Sequence, residues 1–423
     1  MKQLIEILEG ASLSDWRVNQ TKRTSRELFF VHEKLETVRA TDTAETSVTV
    51  YADHDGKRGD SSFSVSPAMD EKALKEKIRV AKERAALVFN EPYRLPGKEE
   101  FSGAIPTDLD REEAKRTVAR IADAVWAAKG PEGTSLNALE IFLYRDETRV
   151  KNSRGLDKRE IKHHAMIEAI PTFTDETGSV ELYESFSFTS FDPELVTKRI
   201  ESRLNEAAAR AKAKKLAPQT LSAALRPQEI AELIWNLADD LGYGAVYQHA
   251  NLFSAGDEIQ KERTGDPLNV FLCGKVEGSR ASSDFDEDGT ALTDTLVIEN
   301  GKAASYHGSS RFGQYLGVEK PSGVLPCLKV LPGTLKQEEL KKERYLECVS
   351  LSGLQVDLYS DYIGGEIRLA FLHEGETVTP VTGMTMSASL SGVLAAMRLS
   401  ENTVREGGYE GPDLLLMKNI SVL

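Results

Sequence analysis

The feature that most constrains the fold of this chain is a change in composition near residue 215. Of its 31 glycines, 9 lie in residues 1–215 and 22 in residues 216–423. The first stretch carries 36 basic and 38 acidic residues, a net charge of −2, whereas the second carries 17 and 29, a net charge of −12. A chain of 423 residues also exceeds the usual size of one domain. We therefore predict an N-terminal domain over residues 1–215 and a C-terminal domain over residues 216–423, joined by a linker at Lys212–Pro218.

Hydrophobic periodicity predicts three long helices in the N-terminal domain. They begin at Asp70, near residue 108 and at Asp192-Pro193, where an acidic cap or a proline precedes an apolar stripe. On the third helix the residues expected to face inward are Leu195, Val196, Ile200, Leu204, Ala207 and Ala211. Alternating polar and apolar residues over about 14–66 and 136–190 predict strands between these helices.

The C-terminal domain is predicted to be mostly strand and turn. Pro227 begins a helix with an apolar stripe, and the pair Asn300-Gly301 favours a tight hairpin turn after Thr295–Glu299. Strands follow one another as hairpins and do not alternate regularly with helices. The predicted fold class is therefore α+β, with two domains of mainly antiparallel sheets, helices packed on the N-terminal sheet, and a strand-rich C-terminal domain.

Several classes of protein are disfavoured by composition. The longest apolar runs, such as Ala85–Phe89, are far shorter than the roughly 20 residues of a membrane-spanning helix. The first nine residues alternate acids with aliphatics and do not resemble a signal peptide. The three cysteines have no CxxC spacing, and the net charge of −14 opposes binding to a phosphate backbone. We expect a cytoplasmic protein without membrane or nucleic-acid partners.

Local spacing predicts no zinc site. A zinc peptidase helix needs two histidines on one face and a glutamate beside them. His32-Glu33 and His373-Glu374 each lack a second histidine one helical turn further on. His163 and His164 are adjacent, so on a strand they would point to opposite faces.

Other motifs are also incomplete. Asp284–Gly289 matches the first half of a calcium loop, but Thr295 stands where the bidentate glutamate is required. Gly242-Tyr243-Gly244 begins like a dinucleotide-binding loop, but Tyr247 replaces its third glycine. We therefore predict a solvated acidic turn, and we assign no catalytic, metal-binding or cofactor-binding residues; the substrate-binding residues are unknown at this stage.

Taken in order, several strings resemble the TldD/PmbA family, also called TldD/TldE and labelled modulators of DNA gyrase. The strings are Val150–Leu156, Asp284–Gly289, Thr295–Gly301, Leu325–Gly333, Gly365–Leu369 and Pro380–Gly383. Each is weak alone, and their order and spacing make the resemblance specific. One departure is Asp361–Gly365, which differs from the family's usual Gly-Asp-Phe-Ser-like pattern.

The resemblance implies a division into two subunit types. The TldD type carries an HExxxH helix and a later cysteine ligand, and is a zinc peptidase. The TldE/PmbA type keeps the fold without those ligands and pairs with the catalytic subunit. The corresponding segment of this chain, Gln228–Leu233, has glutamates and no histidine, and Cys273 lies too early to match the cysteine motif. The chain therefore resembles the TldE/PmbA type.

The resulting hypothesis is a non-catalytic subunit of a cytoplasmic zinc peptidase complex that acts on unfolded or modified peptides. No cofactor is expected in this chain, and zinc is expected in a TldD-like sister subunit that carries HExxxH. A peptide substrate and a second copy of the chain are the other expected partners. Three alternatives stay open: a stand-alone homo-oligomeric peptide-binding module, a regulator of DNA gyrase, and a peptidase whose metal ligands are distant in sequence.

Overall fold

The computed structural model describes all 423 residues of the chain. The helices of the N-terminal half are α1 (Lys2–Glu9), α2 (Glu71–Ala85), α3 (Ala114–Trp126) and α4 (Pro193–Lys212). Its strands are β1 (Asp15–Val31), β2 (Lys34–His54), β3 (Lys57–Val65), β4 (Glu100–Ala104), β5 (Thr134–Asn152), β6 (Asp157–Asp175), β7 (Gly178–Glu181) and β8 (Glu184–Phe188). The predicted helix starts are confirmed at Asp70 and Asp192, whose carboxylates cap α2 and α4.

One eight-stranded sheet contains all strands of the N-terminal half. Its order is β3-β2-β1-β5-β6-β4, and β7 and β8 pair with later parts of β6. All pairings are antiparallel except β4 with β6. Helices α3 and α4 pack over β5 and β6, while α1 and α2 pack over β1 and β2 in a separate apolar cluster.

The C-terminal half is richer in short strands. Its helices are α5 (Pro227–Asp240), α6 (Tyr243–Tyr247), α7 (Ser310–Tyr315), α8 (Gln337–Leu340) and α9 (Leu390–Ala396). Its strands are β9 (Gln219–Leu225), β10 (Val270–Cys273), β11 (Thr295–Glu299), β12 (Lys302–Ala303), β13 (Cys327–Val330), β14 (Arg344–Asp357), β15 (Tyr362–Glu374), β16 (Thr377–Val381), β17 (Met384–Ser389), β18 (Arg398–Leu399), β19 (Thr403–Glu406), β20 (Tyr409–Pro412) and β21 (Leu415–Val422).

Two sheets form this half. One has the order β12-β11-β10-β13-β20-β19. The other follows β14-β9-β21-β17-β15-β16, and a further pairing of β14 with β15 closes five of these strands into a ring. A core of 39 buried residues, all between Leu221 and Val422, fills this half and includes the apolar stripe of α5. The predicted α+β class with mainly antiparallel sheets is confirmed.

Two inward positions predicted on α4 are wrong. Leu195 is 64% exposed, and Ala211 is exposed near the end of the helix. The buried stripe begins instead at Val196. The first turn of α4 lies at a cleft, so Leu195 faces the cleft and no neighbouring element covers it. None of the helices is long and apolar enough to cross a membrane.

Candidate functional site

A cleft of about 740 Å³ lies between the two halves of the chain, over the first turns of α5. Gln228, Ala231 and Trp235 of α5 line the cleft. These positions lie on one face of the helix, because residues three and four apart are neighbours on its surface. Leu233, on the opposite face, is fully buried in the C-terminal core.

Two sheet edges form walls of this cleft. Residues 185–188 of β8 and residues 405–406 of β19 line it from opposite halves of the chain. Strand β8 pairs only with β6, and β19 pairs only with β20, so each has one open edge. The apolar lining includes Phe186, Phe188, Leu195 and Trp235.

The backbone of β8 offers hydrogen-bonding groups to the cleft. The N–H of Leu182 donates to the carbonyl of Pro171 on β6, whereas the N–H of Thr189 donates away from β6, to the carbonyl of Gly278. Because the direction of these groups alternates along a strand, even-numbered residues of β8 bond to β6 and odd-numbered residues face outward. Ser185 and Ser187 therefore direct their N–H and C=O groups towards the cleft.

A chain of ion pairs lies beside the cleft and joins the two halves. In order it contains Glu406, Arg199, Glu184, Arg203, Glu206, Arg226, Glu347 and His373. Glu184 and Glu206 are buried, so their charges depend on the guanidinium groups around them. The network was not predicted from the sequence, although acidic and basic residues between the apolar positions of α4 were a detectable signal.

Arg226, which immediately precedes α5, connects α4 to β14 in this network. Its Nη1 lies 2.7 Å from Oε1 of Glu206 on α4, and its Nη2 lies 2.8 Å from Oε1 of Glu347 on β14. The Nε2 of His373 is 2.9 Å from the other oxygen of Glu347. Burial alone would raise the pKa of Glu347, but the hydrogen bond with His373 and the charge of Arg226 outweigh it and lower the pKa.

Glu229, on the first turn of α5, is in the opposite electrostatic situation. Burial raises the pKa of its carboxyl to about 7, against a smaller lowering by a hydrogen bond from its own backbone N–H and by the charges of Arg226 and Arg203. The same burial makes Cys348 of the neighbouring β14 a poor thiolate, because its pKa is raised.

The residues around α5 do not fit a zinc ion. Binding of a zinc ion requires histidine, carboxylate or thiolate groups that converge on one point. No three His, Cys, Asp or Glu side chains are grouped so that they could hold a metal ion. Gln228 offers only an amide, Leu233 is in the core, and His373 already contacts Glu347, which is paired with Arg226.

The acidic turn at Asp284–Gly289 joins the two halves. Asp286 accepts hydrogen bonds from the backbone N–H groups of Asp288, Thr290 and Val324, at 2.9–3.1 Å. Asp288 forms an ion pair with Arg17 of β1. The carboxylates thus point to different partners inside the protein and do not converge.

The histidines considered as metal ligands are separated. His32-Glu33 forms the turn between β1 and β2, with positive φ at both residues. His163 and His164 are consecutive on β6; His164 is buried, and burial lowers its pKa to about 4. Cys273 is directly opposite Cys327 on β10 and β13, and burial raises the pKa of Cys273 to about 12.

A larger groove of about 1760 Å³ lies between the sheet of the N-terminal half and the acidic turn. Its lining is rich in hydroxyl groups, including Thr46, Thr49, Ser62 and Ser283. Ala281 and Pro326 line both this groove and the cleft at α5, so the two spaces adjoin.

Residues 218–423 match the family described as PmbA/TldA metallopeptidase C-terminal domain. No curated protein matches the chain in sequence. Among solved structures, the fold is similar to TldE from Thermococcus kodakarensis, with a TM-score of 0.79 and 14% identity, over 100% of this chain and 99% of that one.

Two further solved structures are similar over 100% of this chain, each at 14% identity. They are proposed modulators of DNA gyrase from Bacteroides thetaiotaomicron, with a TM-score of 0.77 and 97% of that chain covered, and from Thermotoga maritima, with a TM-score of 0.73 and 99% covered. Such identities establish the fold alone. Residues 218–423, the C-terminal half of the chain, therefore belong to the PmbA/TldD family, and the whole chain has the fold of these solved structures.

Proposed function

We propose that this chain is the non-catalytic, TldE/PmbA-type subunit of a zinc peptidase complex that acts on unfolded or modified peptides. Its role in this proposal is to hold a stretch of extended polypeptide in the cleft over α5. Catalysis would come from a sister subunit with an HExxxH helix, and zinc would bind there.

The observation that carries the proposal is the pair of open sheet edges along the cleft. An extended peptide can add to such an edge as a further strand, with main-chain hydrogen bonds that are independent of sequence. The outward groups of Ser185 and Ser187 are suited to this pairing, and Phe186, Phe188 and Trp235 offer apolar surface beside them. A folded protein has few free backbone groups to pair, so the substrate class would be unfolded chains.

The chemistry around α5 favours a supporting role over a catalytic one. A zinc peptidase needs a metal-activated water, a general base and a groove that holds the peptide extended. This chain has the groove, but Glu229, whose carboxyl has a pKa of about 7, does not line it. The donor set for the metal is missing from the helix that carries it in the TldD type.

The first experiment measures which chain is active. This chain and the HExxxH sister chain from the same genome are each purified and assayed alone on an unfolded peptide, and the two are then mixed and assayed together. We expect cleavage to depend on the sister chain and to increase on mixing. Chelator-sensitive cleavage by this chain alone would favour the alternative of distant metal ligands.

The second experiment tests the edge of β8. Ser187→Pro removes one outward N–H but leaves the ladder between β6 and β8 intact, whereas Ser187→Ala keeps that N–H. We expect Ser187→Pro, and not Ser187→Ala, to weaken peptide binding by about five- to tenfold in fluorescence anisotropy. Equal binding by both variants would remove β8 from the site.

The remaining alternatives have distinct outcomes in the same assays. Peptide binding without any complex or activity on mixing would favour a stand-alone binding module. A complex with DNA gyrase in place of the sister chain would favour the regulator. The net charge of −14 is compatible with either protein partner and opposes direct binding to DNA.

A further inference from the structure

One cation in the cleft over α5 has no partner. The other charged side chains that line the cleft either form ion pairs or cap a helix: Asp192, Arg199, Glu277, Arg405 and Glu406. Arg280, by contrast, is exposed and forms no ion pair, and its Nη1 lies 3.9 Å from Sδ of Met166 on β6. The cleft therefore carries one positive charge that no side chain of the protein compensates.

A second cation without a close partner lies on the same face of β6. Lys162 lines the groove that adjoins the cleft, and its side chain is 18% exposed. Its nearest carboxylate oxygen, on Glu160, is 4.0 Å from Nζ. That carboxylate already accepts hydrogen bonds from the backbone N–H of Asp284 and from Oγ of Ser283. Since side chains alternate between the two faces along a strand, Lys162 and Met166 point to the same side of the sheet.

The pKa values of Lys162 and Glu160 agree with this weak pairing. A strong ion pair raises the pKa of the lysine and lowers that of the glutamate. Here burial lowers the pKa of Lys162 against the attraction of Glu160 and Asp146, and the charge of Arg280 lowers it further. Burial likewise raises the pKa of Glu160. The two cations are therefore close enough to repel each other, and Glu160 does not offset the burial of Lys162.

Both cations lie where a peptide on the edge of β8 would pass. Ser187, whose backbone groups face the cleft, is directly opposite Met166 in the pairing of β6 with β8. Arg280 contacts Met166, so it is level with Ser187. Lys162 is four residues further along β6, about 13 Å at the rise of a strand, in the direction in which β8 ends. A peptide held at Ser187 therefore comes level with Lys162 about four residues further on.

Acidic residues elsewhere in the groove leave these cations free. Asp286 is bound by backbone N–H groups, and Asp288 pairs with Arg17. Glu45 lies three strands away from Glu160 along one row of paired residues, about 14 Å at the usual strand spacing. This separation exceeds the Debye length of about 8 Å at physiological ionic strength, so the charge of Glu45 is largely screened at β6.

We propose that Lys162 and Arg280 form a subsite for a carboxylate of the peptide held on β8, supplied by its C-terminus or by an aspartate or glutamate side chain. The inference rests on the proposed function, because it takes an extended peptide as the occupant of the cleft. A carboxylate supplies the acceptors that this ammonium and this guanidinium lack, and charge-assisted hydrogen bonds are stronger than neutral ones. Main-chain pairing would then hold peptides of any sequence, and the subsite would favour those with a carboxylate at the right place.

The first experiment measures the binding of four peptides to the full-length chain by fluorescence anisotropy. All share one unfolded sequence with a fluorophore at the N-terminus and no other acidic residue. They carry either a free or an amidated C-terminus, and either aspartate or asparagine at one internal position. We expect the peptide with neither carboxylate to bind about tenfold more weakly than the tightest binder. A loss on amidation identifies the C-terminus as the source of the carboxylate, and a loss with asparagine identifies a side chain.

The second experiment repeats these measurements with variants of the subsite. Lys162→Met and Arg280→Gln each remove one positive charge, and Lys77→Met is the matched control, because Lys77 is an exposed lysine of α2 that lines the same groove. We expect each subsite variant to bind the carboxylate peptide about tenfold more weakly and the control to bind it as the wild type does. The peptide without a carboxylate should bind all four proteins alike. Circular dichroism checks that each variant is folded, and the exposed Arg280 decides the outcome if Lys162→Met is not.

Equal binding of the four peptides to the wild type would overturn the subsite and leave the proposed peptide-binding role in place. A preference for a carboxylate that survives both subsite substitutions would also overturn it. Absence of binding by every peptide would contradict the proposed function itself, and the subsite with it.

Discussion

Arg226 joins the two halves of the chain through ion pairs with both of them. It pairs with Glu206 of α4 and with Glu347 of β14, and Glu206 is buried. Removing one partner from a buried ion pair leaves an uncompensated charge in a poorly solvated place. We expect Arg226→Ala to lower the free energy of unfolding by roughly 3 kcal/mol in urea denaturation.

The matched control for this prediction is Arg344→Ala. Arg344 pairs with Glu374 at 2.6 Å, but both side chains are almost half exposed. Exposed pairs contribute little, so we expect a loss within about 1 kcal/mol. Similar losses for the two variants would show that Glu206 finds another partner or enough water when Arg226 is absent.

Glu229 makes stability depend on pH in the neutral range. Its pKa is about 7 in the folded chain, raised by burial from an ordinary value near 4.5. Between these values the folded state binds more protons than the unfolded state, so this residue's contribution to stability falls as pH rises. Above pH 7 the carboxylate is charged in both states, and keeping it charged in the folded chain lowers the free energy of unfolding by no more than about 3 kcal/mol.

We therefore expect Glu229→Gln to be more stable than the wild type at pH 8, with the difference shrinking as pH falls towards 4.5. Urea denaturation of both proteins over this range measures the effect. Because the two proteins share all their other titrating groups, the difference between their curves of unfolding free energy against pH gives the contribution of Glu229 alone. Parallel curves across the range would contradict the prediction.

At the scale of elements, helix α5 supplies one face to the cleft and the opposite face to the core of the C-terminal half. Its first turns direct Gln228, Ala231 and Trp235 to the cleft, and its opposite face is core. None of the three cleft side chains is a zinc ligand of the usual kind. We expect the purified chain to contain no stoichiometric zinc after mild dialysis, as measured by elemental analysis, and a zinc ion retained by each chain would contradict this.

The acidic turn at Asp284–Gly289 gives a second prediction at this scale. Its central carboxylate, Asp286, is already bound by three backbone N–H groups. We expect calcium to leave the melting temperature unchanged, and Asp286→Ala to cost about 2 kcal/mol with or without calcium, because those donors lose their acceptor. A calcium-dependent rise in melting temperature that Asp286→Ala abolishes would show a true calcium site.

At the scale of the whole molecule, the predicted boundary near residue 215 can be tested by dissection. No sheet contains strands from both sides of it, and the largest core lies entirely beyond it. We expect residues 216–423 to fold alone, with a lower melting temperature than the full chain because Arg226 loses its ion pair with Glu206 of α4. Calorimetry of the fragment measures this, and a fragment without a cooperative transition would contradict the proposed boundary.

Much of the fold was predictable because its signals are local. Helix starts at Asp70, Asp192 and Pro227 follow from capping and proline geometry, and the hairpin at Asn300-Gly301 follows from the positive φ that both residues adopt. The exposure of Leu195 was not predictable in the same way, since its apolar stripe continues past the point where the partner surface ends.

The sequence by itself therefore determined the α+β class, most element starts and the missing histidines of α5, because these depend on neighbours along the chain. Tertiary structure alone decided that β8 and β19 face the same cleft, and that Glu406 and His373 belong to one network through Arg199 and Arg226. Such features depend on residues far apart in sequence, whose distances are set only when the two halves pack together.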